Sequence, residues 1–229
     1  HAAELGARVL ILEKTPRLGT KITISGGGKC NITHDGPLED VLKAFRPNEA
    51  RFIRPACYRF PPPRIVEMLT RKGLEVYTRP DGRIFPVDGT AKDVVRILTD
   101  YLHEADVRIR LEAPVGELIG SPEGMEGVRL KSGEEIRCAR VVLAVGGSSY
   151  PNSGTTGDGW PWVRKLGHSV VPVRAALAPM HVALPWESPK GVALRGCILK
   201  ARRSGKEVAR WRGDLLFTLL PDSDIGTGE

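Results

Sequence analysis

Lys21-Ile-Thr-Ile-Ser-Gly-Gly-Gly-Lys-Cys-Asn-Ile-Thr33 decides how the rest of this chain is read. Three glycines in succession are costly to order, so such a run persists where the main chain must turn with positive φ or lie close against something. Just upstream, Ala7-Arg-Val-Leu-Ile-Leu-Glu13 is a short apolar run ending in an acid. In a nucleotide-binding α/β domain the acid at the end of such a strand accepts hydrogen bonds from a ribose. Strand, acid and glycine loop in this order suggest a bound dinucleotide such as FAD. A buried strand followed by an ordinary flexible loop is the competing reading, and isolated glycine patterns are too weak to choose between them.

Before that strand, Ala2-Ala-Glu-Leu-Gly6 reads as the last turn of a helix, with Gly6 at the left-handed stop. In a doubly wound nucleotide domain this helix follows a first strand and a G-x-G-x-x-G turn whose amides hold the pyrophosphate. The sequence opens at His1 without a methionine. The expectation is therefore an incomplete parent, with those elements upstream.

A second constellation lies further on. Val141-Val-Leu-Ala-Val145 is apolar throughout and of strand length, the pattern of a strand buried on both faces. It runs into Gly146-Gly147-Ser-Ser-Tyr-Pro151 and Gly154-Thr-Thr-Gly-Asp-Gly159, then a helix from Trp160 to Leu166 stopped by Gly167. Ligands of open α/β sheets sit beyond the carboxyl ends of the strands, and amides at a helix start can receive an anion. A long surface loop with Asp158 as an N-cap is the alternative.

Between the two constellations the pattern alternates. Pro37–Phe45, Pro63–Lys72 and Lys92–Glu104 read as helices, the last with an apolar stripe of Val94, Val95, Leu98, Leu102 and Ala105. Leu74–Thr78 and Asp106–Leu111 read as strands. Val115–Ile119, Gly127–Leu130 and Glu135–Cys138 suggest an antiparallel meander, with turns at Pro122-Glu-Gly124 and Ser132-Gly133.

At 229 residues, 41% hydrophobic and 27% charged, this is the composition of a folded chain. No apolar run approaches a membrane span, and no signal-peptide pattern is visible. Cys30, Cys57, Cys138 and Cys197 are scattered without a C-x-x-C pair, which argues against zinc and for a reducing compartment, the cytoplasm. The net charge of +7 is concentrated: between Lys190 and Arg212 there are eight basic residues against Glu207, while the remainder balances at 26 and 26. Such a stripe on a hairpin can bind phosphate-rich partners, or it can be the solvated face of a ribbon. Without an aromatic stacking motif the nucleic-acid reading is disfavoured.

Taken together, Glu13-Lys14, the Lys21–Asn31 segment, Gly82-Arg-Ile-Phe-Pro86, and Ala144-Val-Gly-Gly-Ser-Ser-Tyr-Pro151 with Gly154–Gly159 closely resemble the YhiN/BaiN-like NAD(P)/FAD-dependent oxidoreductases. The resemblance runs in order over residues 1 to about 185, and less distinctly to Phe217. It implies an FAD-binding, Rossmann-like (doubly wound) α/β domain, a flavin-dependent oxidoreductase activity with NAD(P)H as electron partner, and a small-molecule substrate. Glu13 would bind the adenosine ribose, with Lys14 beside it. Lys21 and the loop Ser25, Gly26, Gly27, Gly28, Cys30 and Asn31 would run along the flavin. The backbone of Val115 would meet the adenine. Ala144, Val145, Gly146 and Gly147 match the family's A-T-G-G strand end, with Val145 in place of threonine. Gly157 and Asp158 would lie near the pyrophosphate or the flavin edge.

The chain also departs from that family. Beyond Leu216-Phe-Thr218 the family continues with a His-x-Gly-x-Ser-Gly-Pro stretch, which Leu219–Glu229 does not match. Without either end of the expected site, this chain alone would bind FAD poorly. Residues 1–176 are expected to form the incomplete FAD-binding domain, and 177–229 the start of a β-rich inserted domain with a hairpin turn at Ser204-Gly205. No catalytic residue is assigned. A second cysteine five residues after Cys30 would suit a dithiol mechanism, but that position is Asp35; packing or flavin contact is the better role for Cys30. A non-catalytic flavoprotein remnant or binding module, and a nucleic-acid-associated protein using the basic hairpin, remain as alternatives.

Overall fold

The computed structural model describes residues 1–121, 123–174 and 191–217. It opens on a closing helical turn. The Ala7 amide donates to the Ala2 carbonyl (3.1 Å) and the Gly6 amide to Ala3 (2.9 Å), with Gly6 at φ +84°. That pair of bonds is the glycine stop expected from the sequence.

The elements that follow, in chain order, are β1 (Leu10–Leu12), α1 (Thr20–Ile24), β2 (Thr33–His34), α2 (Leu38–Lys43), α3 (Pro47–Arg59), α4 (Pro62–Arg71), β3 (Val76–Thr78), β4 (Arg83–Pro86), α5 (Ala91–Glu104), β5 (Arg108–Arg110), β6 (Val115–Ser121), β7 (Gly124–Leu130), β8 (Glu135–Arg137), α6 (Gly159–Lys165), β9 (Ala193–Arg203) and β10 (Lys206–Leu216). β1 and β5 pair in parallel, Ile11 facing Ile109. β4 lies between β2 and β3 in an antiparallel sheet, and β6-β7-β8 is an antiparallel meander. The described residues fall into two compact units, His1–Val173 and the hairpin β9–β10 beyond it.

α5 organises the first unit. Thr90 caps its start, accepting from the Lys92 amide (3.3 Å), while Asp93 Oδ2 accepts from the Thr90 amide (2.8 Å); two of the orphan donors of a helix start are thereby satisfied. Its inward face is Ala91, Val94 and Ile97, all under 4% exposed. These pack with Leu69 of α4, Leu74 and Cys30, and Ile22, Ile65, Leu98 and Tyr101 close over them. Of the stripe read in the sequence, Val94 is in this core and Leu98 packs against it, while Ile97, absent from that stripe, is fully buried in it.

Two elements differ from the sequence reading. Residues 47–59 form α3, to which no element is assigned above. Pro47 sits at its first turn, where a missing amide costs nothing, but Pro55 lies inside it, where proline ordinarily breaks a helix. Conversely, 141–145 is not a buried strand: it pairs with no strand among the described residues, and Val142 is 90% exposed. An apolar run becomes a central strand only with neighbours on both edges and layers on both faces, and the described residues supply none.

Candidate functional site

At the end of β1 the chain is locked to the strand beside it. The Glu13 amide donates to the Arg110 carbonyl (3.0 Å), and the Ala113 amide donates to the Glu13 carbonyl (2.9 Å). Val115 follows two residues later at the head of β6. The Glu13 carboxylate accepts from the Thr15 amide through Oε1 (2.8 Å), and among the described residues Oε2 has no protein donor. A carboxylate so held, with one oxygen free, can accept from a sugar hydroxyl.

Lys14 reaches across 144 residues to Asp158 Oδ2 (2.6 Å) and also donates to Thr156 Oγ1 (2.7 Å). Both partners of this ion pair are about 30% exposed (31% and 28%). The Lys14 ammonium holds the Asp158 carboxyl below its ordinary range, against the opposing effect of partial burial. The Asp158 side chain does not cap α6: its backbone is already helical (φ −56°, ψ −31°), not extended as at an N-cap, and its Oδ2 accepts from Lys14 and Thr156.

The loop that carries Asp158 folds back on the Ala144–Gly147 segment. The Gly157 amide donates to the Gly147 carbonyl (2.9 Å). A Cβ on Gly159 would stand 3.0 Å from Val145 Cγ2, and one on Gly154 would lie 3.3 Å from Thr15 Cγ2 and 3.5 Å from Lys14 Cε. α6 is tied down beyond it: Trp162 Nε1 donates to the Gly116 carbonyl (2.8 Å) and Lys165 pairs with Glu117 (2.6 Å). Glu13, Lys14, Val115, Ala144–Gly147, Gly157 and Asp158 are therefore one connected group.

The glycine bend joins through α1, whose Lys21 lies over the Tyr150 ring at 5.8 Å, within cation–π range. Gly26, Gly27 and Gly28 have φ of +57°, +68° and +87°, and Cys30 has +62°. At Gly26 a side chain is excluded on two counts: its Cβ would sit 2.8 Å from Phe85 Cε1 and 2.9 Å from the Asn31 nitrogen. Ser25 donates to the Ile22 carbonyl (2.9 Å). Asn31 is exposed. Cys30 takes the packing role, 5% exposed within the core, where burial raises its thiol's pKa.

The site can be tested for fit to a long, anionic cofactor. Cβ atoms on Gly27 and Gly147 would meet nothing within 4 Å, so the bare main chain is open to a ligand at both. Thr20 Oγ1 is buried without a hydrogen-bond partner, an orphan polar atom beside Lys21. The residues fit. Two surface hollows elsewhere, one along Glu126, Glu135 and Arg137 and one along Phe45, Glu49 and Phe52, include none of them. The sequence reading missed Thr15, Thr20, Tyr150 and Thr156 as participants. Only Tyr150 and Thr156 carried a signal, being inside the two glycine motifs.

A family model described as the HI0933-like protein Rossmann domain matches residues 1–217. Among curated relatives, the chain is 28% identical over 218 residues to the ribosomal RNA dihydrouridine synthase of Escherichia coli, covering 95% of this chain and 52% of that protein. It is 27% identical over 179 residues to the Haemophilus influenzae protein of the same name, covering 77% and 44%. It is also 30% identical over 187 residues to the 3-dehydro-bile acid delta(4,6)-reductase of Clostridium scindens, covering 81% and 44%. The chain thus spans about half the length of the relatives it matches.

Proposed function

From a chain that belongs to the family of HI0933-like proteins, matched through their Rossmann domain, we propose that this polypeptide holds FAD and serves a flavin-dependent reductase with NAD(P)H as electron donor. The observation that carries the reading is the Lys14–Asp158–Thr156 tie. It fastens the acid-ended strand β1 to the glycine-rich loop, where a dinucleotide would lie along both.

Glu13 Oε2 would accept from the adenosine ribose. The open amides around Gly147 and Gly27 would approach the pyrophosphate and the flavin edge. Lys21, held over Tyr150, supplies positive charge beside them. Reduced FAD, when bound, supplies a hydride; the protein's part is to place it and exclude water.

The relatives' names narrow the chemistry. Dihydrouridine is uridine saturated at a ring double bond next to a carbonyl, and a 3-dehydro-Δ4,6 bile acid carries double bonds conjugated with a ketone. A polarised carbon–carbon double bond is common to both, and we take it as the substrate class. The four cysteines are all free, which suits a cytoplasmic setting.

Titrating the chain with FAD, followed by flavin absorbance and fluorescence, tests the reading. Saturable perturbation of the flavin spectrum, weakened at least tenfold by Glu13→Ala, is expected. A spectrum identical to free FAD at every protein concentration overturns it. NADPH consumption driven by a uridine-containing transcript or a conjugated enone then reports on substrate class.

A further inference from the structure

A polarised double bond is reduced by two separate deliveries, a hydride to one carbon and a proton to the carbon next to the carbonyl. The cofactor supplies the first, and a positioned acid speeds the second. Around the two glycine segments most candidate donors are already committed. Thr15 Oγ1 donates to the Arg17 carbonyl (2.8 Å), Ser25 Oγ to that of Ile22 (2.9 Å) and Thr156 Oγ1 to Asp158 (2.9 Å). Asp158 itself is held by Lys14. Cys30 is 5% exposed inside the core. Both ring nitrogens of His34 face backbone carbonyls, of Asp35 (2.5 Å) and Asp81 (3.0 Å).

Tyr150 differs from all of these. Its backbone is pinned, because its carbonyl accepts from the Ser153 amide (3.0 Å), Ser153 Oγ (2.7 Å) and Thr155 Oγ1 (2.9 Å). The residue is nevertheless 52% exposed, with the Lys21 ammonium 5.8 Å from its ring centroid. Its hydroxyl has no hydrogen-bond partner among the described residues. Tyr150 lies just beyond Gly147, and Lys21 just before the triple-glycine bend, so the ring stands where the two glycine segments meet. Ser148 and Ser149 are exposed too, but an alkyl hydroxyl is a far weaker acid than a phenol, and tyrosine is among the side chains that serve as general acids.

We propose that Tyr150 is the general acid of this site, its Oη delivering the proton to the substrate carbon next to the carbonyl. The inference rests on the reductase reading above. A hydride, carrying two electrons drawn from NAD(P)H through the flavin, adds to the β carbon, and the π pair moves onto the carbonyl oxygen as an enolate. The enolate pair then forms the C–H bond at the α carbon while the Tyr150 O–H bond breaks. The phenolate left behind takes a proton back from water. In between, the Lys21 ammonium over the ring offsets its negative charge.

The test is Tyr150→Phe in the full chain, which keeps the ring and removes only an unpartnered hydroxyl. This protein should melt at the wild-type temperature and keep the wild-type Kd for FAD and rate of flavin reduction by NADPH. Reoxidation of the reduced flavin by 2-methylcyclohex-2-enone, followed by stopped-flow absorbance under nitrogen, should slow on the order of a hundredfold. The methyl-bearing carbon of this enone is the one protonated. Wild type should therefore form one enantiomer of the methylcyclohexanone in excess, whereas the residual product of Tyr150→Phe, protonated by water, should be racemic. Tyr58→Phe, on α3 and outside the site, should match wild type throughout.

A wild-type reoxidation rate or a wild-type enantiomeric excess in Tyr150→Phe overturns the proposal. So does weakened FAD binding or a lowered melting temperature in that variant, or equal slowing in Tyr58→Phe. Each of these outcomes leaves the reductase reading standing. A wild-type protein that binds no FAD, or whose reduced flavin the enone fails to reoxidise, removes that reading and the proposal together.

Discussion

The Lys14–Asp158 pair makes the site sensitive to acid in a direction that can be worked out. The Asp158 carboxyl is lowered in the folded chain. Its contribution is complete above the unfolded carboxyl's pKa of about 3.9 and is lost as pH falls toward the lower folded value. Melting wild type and Lys14→Met across pH should therefore show a stability gap that is constant above about pH 5 and closes on acidification; a gap independent of pH would remove the pair from the account. At Gly26, both the positive φ and the nearness of Phe85 and Asn31 resist a side chain. Gly26→Ala should cost about 1–3 kcal/mol in denaturant unfolding, and Gly27→Ala, with open space around it, measurably less. These residues were legible in sequence as a motif, because only glycine tolerates that backbone. Their partners were not: nothing local in Lys14 announces a contact with residue 158, and a buried orphan hydroxyl such as Thr20 has no sequence signature.

Among the elements, those with a complete local signal were the readable ones. α5 has its cap, its periodic stripe and its stop, and the meander has alternation with glycine at the turns. Removing the cap hydroxyl with Thr90→Ala should lower stability by about 1 kcal/mol, read as a shift in the urea midpoint. α3 was hidden because Pro55 contradicts the helix that Pro47 and Glu49 begin. The 141–145 run was misread for the opposite reason, since its composition is that of a buried strand while burial depends on neighbours the run cannot specify. With Val142 90% exposed, Val142→Asp should change the stability of this chain by less than ~0.5 kcal/mol. A loss of several kcal/mol in the same denaturation measurement would show that the run is covered after all.

For the molecule as a whole, fold class was readable because strand, acid, glycine bend and second glycine loop occur in the order of a Rossmann domain, and the family match over residues 1–217 agrees. Charge was readable as a total and as a cluster, but only the register shows that it is spread over both hairpin faces, Lys200 opposite Arg210 on one and Arg203 opposite Lys206 on the other. Among the described residues no helix is long and apolar enough to cross a membrane. The central claim is that Glu13–Lys14, Ser25–Gly28 and Gly146–Gly147 contact one cofactor. Backbone amide chemical shifts recorded through an FAD titration test it most directly, and remain readable at millimolar affinity. All three segments should move together along one binding curve with a common Kd. Shifts confined to a single segment, or three segments following different curves, would contradict the account.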